Sequence, residues 1–537
     1  MEAAEREVVT TKGTHAMFSR KRRPGETRLA WLVFLASAGV LMALVAVMGW
    51  DVRRWFSKPE KPKPIVVYCA AALKAPLEEI AKEYEQAYGV PVQLQFGASQ
   101  TLLANAEVAR RGDLYLPADD SYLQLARDKG LLAEVLPLAR MTAVLAVRKG
   151  NPLGIRSLDD LLKGEARLAQ ANPDAAAIGK VTRDVLRANK LWEKFEKRVT
   201  VTTATVNDVA NNIAVGAADA GVVWDVTATQ YPGLEAVEVP ILAAHPSNVS
   251  LGVLRTSEQP TAALRFARYV AARDRGLAKL GTMGYVPVEG DVWAEKPEVR
   301  LFAGAMLRPA IEETVVEFEK REGVKVTRVY NGCGILVAQM KTDGQQPDAY
   351  FACDVSFMDQ VRDRFEPPVE VSANQLVILV PKANPYNIRT LKDLGKTREE
   401  LAKTGADPGP AGLRVGVGHE RQCALGVLTQ ETLEQAKLRD PVMRNDKTQL
   451  PTGDMLVNEL RVGALDAVVA YVSNAAEAGD ELKAYRVELP CALAVQPVAV
   501  GKTSGQRHLT QRLLDALQTA ESRERFTRLG FSWKATK

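Results

Sequence analysis

Histidine is almost missing from this chain: His15, His245, His419 and His508 are the four in 537 residues, and their spacing gives no metal-ligand pattern and no evident partner for a nucleophile. There is no HExxH, no GxSxG and no Walker A sequence, and Gly416-Val417-Gly418 is too short for a dinucleotide loop. The usual carriers of peptidase, esterase and nucleotide chemistry are therefore absent, and the sequence predicts a non-enzyme without a cofactor. The paired acids Asp119-Asp120 and Asp159-Asp160 read as caps or solvated helix starts. Cysteine is scarce: Cys69, Cys333, Cys353, Cys423 and Cys491 show no CxxC spacing, and their odd number leaves at least one thiol unpaired.

Charge of one sign is also scarce outside the N-terminal region. Basic residues cluster at 20–28 and 53–63, so the net charge of +5 leaves the rest of the chain near neutral. No basic patch interleaved with aromatics occurs there, which excludes a nucleic-acid partner. Only one long uncharged apolar run exists, residues 29–49. It matches the roughly 20 residues that cross a bilayer and exceeds the roughly 7–15 of a signal-peptide core. An uncleaved anchor at 29–50 is expected in preference to a cleaved signal. Residues 1–28 would form a basic cytoplasmic tail. Residues 51–64 would form a linker, stiff and extended over SKPEKPKP at 57–64. The remainder would lie outside the cytoplasmic membrane, on a single-pass (periplasmic) protein.

What the chain does have is the same pattern twice. Residues 66–103 (VVYCAAALKAPLEEIAKEYEQAYGVPVQLQFGASQTLL) are echoed by residues 299–337 (VRLFAGAMLRPAIEETVVEFEKREGVKVTRVYNGCGILV). GAADAGVVWD at 216–225 is echoed by GALDAVVAYV at 463–472, and Met283-Gly284-Tyr285 by Leu529-Gly530-Phe531. The period is far longer than the roughly 20–50 residues of solenoid repeats, so the duplicated unit is a globular module. The modules are expected at 65–290 and 297–537.

Each repeat alternates apolar strands, turns of small residues and amphipathic helices, the pattern of an α/β fold with mainly parallel strands. Two apolar strands per repeat bracket a middle block (141–147 and 249–254, then 376–380 and 495–500), which predicts two lobes joined by two chain crossings. Ligands of open α/β sheets sit at strand-end turns. In the first repeat these turns carry Ala70-Ala71-Ala72, Gly97-Ala98-Ser99, Ala175-Ala176-Ala177 and Thr205-Val206-Asn207. Small residues before helix starts let backbone N–H groups approach an anion without any formal positive charge. They also suit tight turns alone.

These stretches, together with GDLYLPADDSYLQLARDKGLL, NPDAAAIGKVTRDVL and GAADAGVVWDVTA, resemble the molybdate-binding proteins of ABC uptake systems, within the type 2 periplasmic-binding-protein fold. The resemblance covers 65–290 and, more weakly, 297–533. It implies two hinged two-lobed modules, a tetrahedral oxyanion (molybdate or tungstate) as ligand, and ABC permease and ATPase subunits as partners. It places the first site at Ala71, Ala72, Ala98, Ser99, Ala176, Ala177, Val206, Asn207 and Trp224. The second falls at Ala305, Met306, Gly332, Cys333, Cys423, Ala424, Gly453 and Tyr471. Of the hydroxyl donors that the family uses, the first site keeps Ser99 and the second keeps Tyr471. Two alternatives remain open: a tethered sensor or scaffold with one degenerate module, or a soft-metal site in the second module. There Cys333, Cys353, Cys423 and Met306 would suit an ion such as Cu(I), while buried cysteines also serve as small hydrophobes.

Overall fold

A computed structural model describes residues 35–37, 39–40, 62–342, 346–407 and 409–535. The chain divides into two compact units, Met1–Pro62 and Lys63–Lys537. In the first, residues 35–37 and 39–40 are helical. The expected anchor at 29–50 otherwise lies outside the described residues, among which no helix is long and apolar enough to cross a membrane.

The second unit holds both modules. In the first module one sheet runs in the order Val286–Pro287, Leu132–Met141, Ser247–Leu254, Leu114–Leu116, Ile65–Ala70, Val92–Gly97. Its last three strands are parallel, and Ser247–Leu254 joins them antiparallel. A second sheet runs Val199–Thr203, Leu168–Ala171, Ala220–Trp224, Ala143–Arg148, Leu234–Val237. These are the two lobes. Each parallel strand feeds a helix, and buried strands such as Ile65–Ala70 read as continuous apolar runs because both faces are covered. Helix Lys74–Tyr88 stops at Gly89, where φ is +67°, and its counterpart Arg308–Glu322 stops at Gly323 with the same φ. Only glycine takes that left-handed conformation without cost.

The two modules cross between lobes differently. In the first, the chain breaks at Thr142 between strands Leu132–Met141 and Ala143–Arg148. Asp225 closes the break: its carboxylate accepts from Thr142 N–H at 3.1 Å, and its own N–H donates to Thr142 O at 2.8 Å. In the second, Val369–Pro381 is one unbroken strand, and a ten-stranded sheet passes through both lobes. Val472 stands after Tyr471 where Asp225 follows Trp224, so no carboxylate is there to compete with strand pairing. The caps at 119–121 also differ from expectation. Asp119 accepts from Ser121 N–H at 3.0 Å, while Asp120 makes no cap and accepts from Ser250 Oγ at 2.8 Å.

The modules dock through their first lobes. Glu322, 1 % exposed, accepts from Arg268 of the first module at 2.8 Å and from Arg512 of the second at 2.6 and 3.1 Å. Arg321 meets Glu134 in a bidentate pair at 2.8 and 3.0 Å. Asp291 caps helix Arg507–Ala516 by accepting from the N–H groups of His508 and Leu509, each at 2.9 Å. Burial opposes the Glu322 charge, but Arg512 and Arg268 override it and hold the carboxyl below its ordinary value. Glu322→Gln would leave two guanidiniums facing each other without a counter-charge. Chemical denaturation is expected to show a loss of about 3–5 kcal/mol. Because the folded-state pKa is depressed, the contribution is complete above the unfolded value of about 4.3 and disappears as pH falls through the folded value. The denaturation midpoint of the wild type should therefore fall more steeply on acidification from about pH 5 to pH 3 than that of Glu322→Gln.

Candidate functional site

The lobes of the first module face each other across a small cleft. Its walls are Ala70, Ala71, Ala72, Gly97, Ala98, Ser99 and Ala118 from one lobe, and Ala176, Ala177, Ile178, Thr205, Val206 and Trp224 from the other. None of these carries a charge. Three helices begin here: Ser99–Ala109, Ala177–Ala188 and Val206–Ala214. The first N–H groups of a helix have no partner inside it, and its N-terminus carries about +0.5 of a charge. Converging on one cavity, they form a neutral site for negative charge.

Two hydroxyls line the cavity and only one is free to serve a ligand. Ser99 Oγ accepts from Ala118 N–H at 3.2 Å, which leaves its own proton to donate. Thr205 Oγ1 donates to the Asp208 carboxylate at 2.8 Å and accepts from Asp208 N–H, a capping box that uses both of its capacities. Trp224 ends a fully buried strand and fills the back wall with an indole, which can only donate.

The lobes are in direct contact. Gln100 N–H donates to Ala175 O at 2.9 Å, and Asn207 Nδ2 donates to Ala71 O at 3.1 Å. Asn207 thus serves as a latch across the cleft rather than as part of the cavity wall, whereas the other eight sequence-derived positions of the first site all line it. Sequence reasoning missed Ala118, whose N–H orients Ser99. It also missed Tyr285, whose hydroxyl donates to Ala72 O and pins the first turn from the far end of the module. The repeated Met283-Gly284-Tyr285 phrase was the available signal.

In the second module the corresponding turns meet through still closer backbones. Gly334 N–H donates to Gln422 O at 3.0 Å. A Cβ on Gly332 would lie 2.4 Å from Gln422 O and 2.7 Å from Pro451 O, so only glycine fits. Met306, Cys333, Ala424, Gly453 and Tyr471 are buried at these turns, and Ala305 is half-buried. Tyr471 Oη has no hydrogen-bond partner, and burial pushes its pKa well up. The soft-metal reading needs correction. Cys333 and Cys353 approach each other, but Cys423 Sγ turns back to its own lobe, 3.6 Å from His419 O and 3.7 Å from Leu450 O. Among the described residues no group of three or more His, Cys, Asp or Glu could hold a metal ion. Burial, with a smaller contribution from Cys333, raises the Cys423 thiol to about 11.

The profile of the bacterial extracellular solute-binding protein family matches twice, at residues 65–285 and 299–532. The chain belongs to that family. As a tandem solute-binding protein it carries two copies of an α/β binding fold, in a family of non-catalytic proteins. It is 27 % identical over 218 residues to the molybdate-binding protein ModA of Mycobacterium tuberculosis, spanning 39 % of this chain and 80 % of that protein. It is 26 % identical over 184 residues to ModA of Escherichia coli, spanning 32 % and 70 %. A binding protein of Haemophilus influenzae is 28 % identical over 159 residues, or 30 % of this chain and 65 % of that one. Among solved structures, the periplasmic molybdate-binding protein of Azotobacter vinelandii aligns with a TM-score of 0.37 at 20 % identity, over 42 % of this chain and all of that one. The sulfate-binding protein SubI of Mycobacterium tuberculosis has the same TM-score at 15 % identity, over 44 % of this chain and 86 % of its own. At such scores the structural likenesses carry no argument about the ligand, and the family assignment rests on the profile.

Ser99→Ala removes the one free hydroxyl while leaving the backbone donors. Anion affinity of the first site is expected to fall on the order of ten- to a hundredfold, the weight of one hydrogen bond to a charged group. Titration calorimetry on the full chain checks this.

Proposed function

We propose that this solute-binding protein receives a tetrahedral oxyanion for an ABC-type uptake system, and that its first module takes molybdate or tungstate. The observation that supports this best is the uncharged cavity in which three helix N-termini and the Ser99 proton converge. A dianion there is stabilised by many weak donors rather than by a counter-ion. An ammonium or guanidinium ligand would instead face N–H groups of its own sign. The names of the curated relatives point the same way. Closure by hinge motion around Thr142 and Asp225 sets the cavity volume, and volume is what separates molybdate and tungstate from the smaller sulfate and phosphate. An ABC permease and ATPase would take the ligand from the closed module.

Calorimetry of the full chain with molybdate, tungstate, sulfate and phosphate tests the reading. Heat with the two larger anions and little with the smaller pair is the expected result, accompanied by a change in Trp224 fluorescence. No heat with any of the four would sink it.

The apolar run at 29–49 supports a membrane tether that holds the modules outside the cytoplasmic membrane. On alkaline carbonate extraction of cells, the full chain is expected to stay with the membrane pellet. Recovery in the soluble fraction would overturn the tether and leave the binding proposal standing.

A further inference from the structure

The second module carries two thiols where the first has a hydroxyl and a methyl group. Cys333 stands in the place of Ser99, and Cys353 in that of Ala118. The backbone contact is retained: Ala118 N–H donates to Ser99 Oγ at 3.2 Å, and Cys353 N–H donates to Cys333 Sγ at 3.1 Å. The two sulfurs lie 2.7 Å apart. Space for the second sulfur comes from a third change. Gly304 replaces Ala70, and a Cβ at Gly304 would lie 1.9 Å from Cys353 Sγ. Three positions on three separate segments thus fit one another, which incidental burial of a cysteine does not require.

The surroundings divide the roles. Cys333 opens helix Cys333–Thr342, whose N-terminal partial charge favours a thiolate. Burial opposes that ionisation, but the S–H and N–H of Cys353 both donate to the Cys333 sulfur and hold its thiol below the ordinary value. Donation to Cys333, with burial added, pushes the Cys353 thiol well up. One sulfur is prepared to attack and the other to resolve. Both are buried, at 0 % and 5 % exposure, beneath the contact of Gly334 with Gln422 of the facing lobe. A reagent can meet them only when the lobes part.

We propose that Cys333 and Cys353 form a reversible disulfide in the floor of the second cleft, made by exchange with a small external disulfide while the lobes are apart. The Cys333 thiolate attacks one sulfur of RSSR, the S–S bond breaks, and RS⁻ leaves. Cys353 gives up its proton to that leaving group and attacks the Cys333 sulfur, and the second RS⁻ leaves and takes a proton from water. The two protein thiols are oxidised by two electrons, and RSSR is reduced to two RSH. Disulfides persist in extracytoplasmic compartments, where members of this family act. The two states offer a ligand different floors: the dithiol presents S–H protons, and the disulfide presents none. The inference goes beyond the oxyanion reading and stands whether or not either module binds one.

The test uses the full chain, reduced with dithiothreitol, desalted, equilibrated with oxidised glutathione, and then alkylated under denaturing conditions. Two fewer alkylated thiols and a cross-linked peptide joining Cys333 to Cys353 are expected. Cys353→Ser should trap glutathione on Cys333, because the resolving sulfur is gone, while Cys333→Ser should leave Cys353 free. Gly304→Ala, which displaces the Cys353 sulfur, should suppress the cross-link. If either cysteine variant fails to fold, peptide mapping of the wild type decides alone. Five alkylated cysteines after oxidation, or a cross-link through Cys69, Cys423 or Cys491 instead, would overturn the proposal.

Discussion

Each cleft depends on two backbones coming within hydrogen-bonding distance of each other. Gln100 must reach Ala175, and Gly334 must reach Gln422, with nothing but main chain between the lobes at those points. Side chains of any size would hold the lobes apart. Small residues at the turns are therefore a condition of closure before they are a feature of binding. The same condition exposes the helix N-termini to whatever lies between the lobes and keeps formal charge away from it. Helix N-termini exposed in this way suit negative charge through geometry rather than through a counter-ion.

Closure needs one lobe of each module to be held still. The Arg268–Glu322–Arg512 cluster joins the first lobe of one module to the first lobe of the other, and its charges are too deeply buried to part without leaving one uncompensated. The second lobes are then the parts free to swing. Their hinges are unlike. Thr142 interrupts the crossing strand in the first module, and Asp225 bridges the interruption. Val369–Pro381 crosses without a break in the second, pairing with Leu493–Val500 through a bulge between Glu370 and Ser372 and with Ala467–Tyr471 beyond it. The first module is the one whose crossing is interrupted, and its cleft offers the Ser99 hydroxyl.

The repeat, the α/β alternation and the small-residue turns were legible in the sequence because they are written in local patterns. Gly89 ends its helix in the left-handed conformation, a stop of the local kind that sequence carries. Asn207 was legible as a turn residue, but the reach of its side chain to Ala71 O was not, since the direction of a side chain across a cleft depends on the facing lobe. Thr205 was visible as a turn residue, yet only the capping box with Asp208 shows that its hydroxyl is occupied. The triad at Glu322 was invisible. Its three residues are separated by 54 and 190 positions and look like ordinary helix-surface charges until the modules are docked. The cysteines were recognised as a group of three, but the backbone divides them into a pair and a packed single, because Cys423 belongs to the lobe that moves.

The difference between the modules lies in what stands beside the same backbone contact. Ser99 and Cys333 both accept an N–H from the strand-end turn that follows. A serine held in this way keeps a proton to give to an anion at any physiological pH. A cysteine held in the same way gives up its proton more readily than an ordinary thiol. One substitution on a fixed scaffold therefore changes the chemistry of the turn, while Gly304 leaves room for a second sulfur beside it. The duplicated cradle is retained in both halves, and the atom at its centre is what sets them apart.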